Sequence, residues 1–84
     1  MNYVLTEHAR ESLQRRSNIQ MNWIEQAITT PQRIEKDAID PELTHYLFKV
    51  VEFENRVLRV IVNHTVEPMR IITVFFDRNM RNKL

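Results

Sequence analysis

The strongest constraint on this chain is an alternation of side chains that recurs three times between His45 and Phe76. Successive residues of a strand point to opposite faces, so residues two apart share a face. In His45–Phe53, Tyr46, Phe48 and Val50 fall on one face and Leu47, Lys49, Val51 and Phe53 on the other. In Arg56–Asn63, Leu58, Val60 and Val62 oppose Val57, Arg59, Ile61 and Asn63. In Arg70–Phe76, Ile72, Val74 and Phe76 oppose Ile71, Thr73 and Phe75. Each segment has one wholly apolar face along its centre, which must be covered. Glu54-Asn55 reads as a hairpin turn, and His64 to Met69 as the next connection. The second face mixes apolar residues with Lys49, Arg59 and Thr73. It is too apolar for plain solvent and suits a ligand groove or a partner surface.

The cover comes from the N-terminal part. Thr6 suits an N-cap and Glu7 the positive end of a helix running to about Arg16. Ala9, Leu13 and the stem of Arg16 form its narrow buried stripe, and Ser17-Asn18 ends it. Asn22 and Glu25 make a capping-box-like pair for a second helix, whose apolar face is Ile24, Ala27 and Ile28, flanked by Trp23. Pro31 stops it. Tyr3-Val4-Leu5 reads as an edge strand or lead-in, Gln32 to Lys36 as a short strand, and Asp37 to Pro41 as a polar loop. The expectation is an α+β fold: two N-terminal helices packed on a small antiparallel sheet of three to four strands, one domain over residues 1–84, with a frayed tail from about Asp77.

Composition narrows the chemistry. The 84 residues contain no glycine, which excludes the glycine loops that cradle phosphates. The absence of cysteine excludes disulfides and thiolate metal sites and fits a reducing cytoplasm. The first residues lack the basic start and apolar run of a signal peptide, and no apolar stretch approaches the roughly 20 residues of a membrane helix. The net charge of +1 is unevenly placed. Residues 35–54 carry −4 and residues 55–84 carry +4, so the surface is polarised, with arginine dominating its basic part.

His8 lies in the first helical turn with Glu11, Ser12 and Arg15 on one stripe, and histidine is a general acid or base near neutral pH. Arg15 and Arg16 could hold a phosphate, although Glu11 offers Arg15 an ion pair instead. Lys49, Arg59 and Thr73 share a sheet face that could take single-stranded RNA or a partner chain. Arg78, in the basic tail, joins Arg15 and Lys49 as a candidate substrate-binding residue. His8, His45 and His64 lack metal-ligand spacing, so no metal or other cofactor is expected.

A resemblance adds to this reading. Thr6-Glu7-His8-Ala9, Leu13, Arg16, Ile19, Ile24, Ala27-Ile28 and Pro31, followed by Ile71-Ile72-Thr73-Val74-Phe75, resemble the bacterial domain-of-unknown-function family numbered 4258 over about residues 3 to 76. The chain departs from the family pattern at Ser12, where a basic residue is common, and at Ser17, where glycine is usual. It also has one extra residue before Ile19. The resemblance implies a RelE/ParE toxin-like fold and a toxin of a toxin–antitoxin pair, with metal-independent endoribonuclease activity on RNA. It carries His8, Arg16 and Thr73 as catalytic positions, and the strand geometry adds Arg59. The partners implied are an antitoxin protein and RNA. The alternative is a non-catalytic interaction module that binds a protein partner or forms a homodimer through its second sheet face.

Overall fold

The computed structural model describes residues 2–16 and 18–84. Ser17, read as part of the helix-ending pair, lies outside the described residues. Strand β1 (Tyr3–Leu5) leads into helix α1 (Glu7–Arg15), which Thr6 caps by accepting from the Ala9 N–H at 3.1 Å. Helix α2 (Met21–Thr29) begins earlier than its sequence suggests. Gln20 is its N-cap, without a side-chain bond, so Asn22 falls inside the first turn and the expected capping box does not form.

Strands β2 (Arg33–Lys36), β3 (Leu43–Val50), β4 (Arg56–Asn63) and β5 (Met69–Phe76) complete a sheet of order β1-β5-β4-β3-β2. The expectation of three to four antiparallel strands is corrected to five strands in a mixed sheet. Both short segments pair, and β1 runs parallel to β5 while the other pairs are antiparallel. The reason lies in the connection. The chain leaves β1 through α1 on one side of the sheet, and the Thr6 N–H returns to the Ile71 carbonyl at 3.1 Å, which fixes β1 on the outer edge of β5.

The apolar faces of β3 and β4 pack on the helices as their alternation requires. Leu58, Val60, Val62 and Val50 are buried against Ala9, Ile24, Ala27 and Ile28. Two details differ. Opposite the Ile61/Val62 step the register shifts, so Thr73 faces Ile61 and Ile71 faces Val62, leaving Ile72 as the extra residue. Such a bulge reverses parity beyond it, and Ile71 and Met69, not Ile72, enter the core. Strand β3 also ends at Val50, before a turn that carries Phe53 round to the helix side, where its ring centroid lies 5.6 Å from Trp23 and 5.2 Å from Phe76. Without glycine, that turn places Glu54 and Asn55 at φ 57° and 58°, a region Asn tolerates and Glu adopts at some cost.

The expected frayed tail is instead folded. A 3₁₀ helix spans Arg78–Met80, and Met80, 8% exposed, packs with Leu47 and Val57 on the second sheet face, joined by partly buried Leu84. The cause is apolar. Leu47 and Val57 point away from the helices and need their own cover.

Candidate functional site

Strand pairing sets Glu35, His45, Arg59 and Phe75 across neighbouring strands on the second face. Arg59 reaches diagonally from its register position opposite Leu47 to His45 and to Glu35 beyond it. Arg59 donates from Nη1 to Glu35 Oε1 at 3.1 Å and to His45 Nδ1 at 2.7 Å, and from Nε to Asp77 Oδ2 at 2.8 Å. A guanidinium only donates, so His45 Nδ1 accepts and its Nε2 carries the proton that bonds Asp37 Oδ1 at 2.7 Å. Asp37 is pulled down to about 2, first by the Asp40 backbone N–H, then by His45 and the Ile39 N–H. Arg33 closes the other side of Glu35 at 3.0 Å. Arg59 and Asp77 have side chains only 12% and 13% exposed. This is a closed polar network that engages its arginine through Nε and Nη1.

A second arrangement lies at the end of the sheet. Between the C-terminal end of α1 and the folded tail is an open cleft of about 510 Å³ lined by Arg16, Asn18, Arg56, Val57, Phe76, Asp77, Arg78 and Arg81. The four guanidiniums arrive from three parts of the chain. Arg16 is the C-cap of α1, Arg56 opens β4, and Arg78 and Arg81 stand on and after the 3₁₀ helix. Arg56 sits 4.7 Å over the Phe53 ring, with Glu54 Oε1 at 3.4 Å. Asp77 is the cleft's acid among the lining residues, and Arg59 already compensates it. The lining is therefore rich in positive charge over a floor of Val57 and Phe76, and its planar donors have the geometry that matches phosphate oxygens.

The residues singled out from the sequence divide between these places. Arg16 and Arg78 meet in the cleft. Lys49, Arg59 and Thr73 do share the second face, as strand parity requires, but Arg59 belongs to the closed network. Thr73 is half-buried opposite Ile61, and His8 is exposed on α1, the helix layer lying across the sheet from Arg59. Arg15 is exposed in the last turn of α1. A single catalytic site joining His8, Arg16, Arg59 and Thr73 is thus not assembled, because the sheet itself separates His8 from Arg59. Sequence reasoning missed Arg56, Arg81 and Asn18 in the cleft, and Asp37, Glu35, His45 and Asp77 in the network. The basic C-terminal third was the one available signal for Arg56 and Arg81. No local motif marks the network.

Fold and site together define a small α+β protein with an arginine-lined cleft at the end of a mixed five-stranded sheet. The chain belongs to the family described as Domain of unknown function (DUF4258), whose model matches residues 5–76. That span includes Arg16 and Arg56 and stops before Asp77, Arg78 and Arg81, so one wall of the cleft lies beyond it. No curated protein and no solved structure matches the chain. Among the described residues, no helix is long and apolar enough to cross a membrane.

Proposed function

We propose that the protein is a toxin-like RNA-binding member of its family that holds the phosphate backbone of single-stranded RNA in the arginine cleft. One observation carries this reading: Arg16, Arg56, Arg78 and Arg81 converge on the same cleft from three separate parts of the chain. Guanidinium forks match phosphate oxygens, and the Phe76–Val57 floor offers apolar surface to a ribose or base. The RelE/ParE-like reading of the fold is supported by two N-terminal helices packed on a largely antiparallel sheet. Binding is better supported than cleavage. His8 and Thr73 are not among the cleft residues, and the cleft's Asp77 is held by Arg59.

The test is fluorescence anisotropy with a labelled single-stranded RNA across a salt series. Four phosphate contacts give a slope of log K against log salt of roughly −3, at about −0.7 per contact. Arg16→Ala and Arg78→Ala each lower affinity and flatten that slope by about 0.7. RNA that stays intact on prolonged incubation identifies a binder, and fragments identify a ribonuclease. Wild-type protein that ignores RNA at low salt would sink the proposal.

A second reading is favoured by the outer edge of the sheet. Strand β2 pairs on one side only, and its Ile34 and the following Ile39 are 59% and 92% exposed. An antitoxin or a second copy of this chain could add a strand there. A monomer at every concentration in sedimentation, with Ile34→Lys leaving antitoxin capture unchanged, argues against it.

A further inference from the structure

Beside the cleft, Asp77 joins the tail to the sheet. Asp77 uses both carboxylate oxygens: Oδ2 accepts from Arg59 Nε at 2.8 Å, and Oδ1 accepts from the Asn79 backbone N–H at 2.9 Å. The first bond ties the tail to the central strand of the sheet. The second starts the 3₁₀ helix, because an acceptor at its N-cap satisfies an amide the helix cannot. The Asp77 N–H also continues the ladder to the Val57 carbonyl at 2.8 Å. Arg78 and Arg81 lie on and just after this turn, opposite Arg16 and Arg56. Arg59 is not among the cleft residues, and its guanidinium is directed at Asp77, Glu35 and His45.

We propose that Arg59 and Asp77 are positioning residues for anion binding: their ion pair pins the tail so that Arg78 and Arg81 complete the cleft. The inference rests on the RNA reading of that cleft. It also gives the opposite sign from simple electrostatics. Asp77 is a negative charge on an anion site, so charge counting predicts that Asp77→Ala tightens RNA binding, whereas loss of the pin weakens it. Arg59→Lys makes the complementary control. It keeps the charge and loses the fork that reaches Asp77, Glu35 and His45 together.

The experiment has two readouts on wild type, Asp77→Ala and Arg59→Lys: anisotropy with the same single-stranded RNA over a salt series, and amide hydrogen exchange of residues 78–83 without RNA. The expected result is faster exchange in both variants, weaker binding, and a salt slope reduced by about 1.4, the share of two phosphate contacts. Asp77→Ala that binds RNA as well as or better than wild type overturns the inference and leaves the RNA reading standing. A tail that exchanges as slowly in both variants as in wild type overturns it whatever the RNA does. If wild type binds no RNA while both variants release the tail, the pin is supported and the RNA reading fails.

Discussion

On the helix side of the sheet, Leu58, Val60, Val62, Val50 and Ile71 meet two amphipathic helices in a continuous apolar core. On the tail side, a small cluster of Leu47, Val57 and Met80 adjoins a polar network centred on Arg59. The first face is closed by non-directional burial, which tolerates some variation in the approach of its cover. The second is closed by directional bonds, which hold only if Glu35, His45 and Asp77 arrive at one guanidinium together. Stability is therefore concentrated on one face and the geometry of the candidate site on the other.

The comparison breaks most directly at the core. Leu58→Ala removes a fully buried side chain from the central strand and is expected to cost about 2–5 kcal/mol in urea unfolding. A smaller loss than that of any tail-side variant would reverse the proposed division of labour. Arg59→Met keeps the apolar stem but leaves Glu35 Oε1, His45 Nδ1 and Asp77 Oδ2 without the guanidinium that donates to them, at an expected cost of about 1–3 kcal/mol. An unchanged unfolding midpoint would mean that the network contributes geometry and no stability. Met80→Ala, at the rim of the second face, is expected to cost about 1–2 kcal/mol and to leave the urea m-value near wild type; a larger cost would make the tail part of the main core.

The folded state holds Asp37 at about 2 against an ordinary value of 3.8, so the ionised carboxylate favours folding. That contribution is present above pH 3.8 and disappears as pH falls from there through about 2. Asp37→Asn should therefore flatten this part of the acid limb of a urea-midpoint series, and an unchanged limb would place the acid sensitivity elsewhere. The smallest effect is expected at exposed His8. His8→Ala should stay within about 0.5 kcal/mol of wild type and leave RNA affinity unchanged. A loss of RNA affinity would return His8 to the site that its motif suggested.

Much of the fold was legible because it follows from local periodicity. The alternation in β3 and β4 placed the core face correctly, and Thr6 and Pro31 bounded the helical region. The misses have a common form. A bulge moved Ile71 inward, a turn carried Phe53 to the helix side, and the tail found cover for Leu47 and Val57. Each depends on how segments distant in sequence meet, which periodicity does not encode. The candidate site follows the same rule. Arg16 and Arg78 were recognisable as residues suited to phosphate, and their meeting with Arg56 and Arg81 was not.

Hydrophobic period and end-capping act over a few residues, so the two helices, the three long strands and the buried face of β3 and β4 were readable from the chain alone. Only the tertiary structure decided the parallel pairing of β1, the closure of the second face by the tail, and the assembly of four arginines round one cleft. Those features depend on register and on chain reversals, and a single shifted residue in a strand changes which side chains can meet.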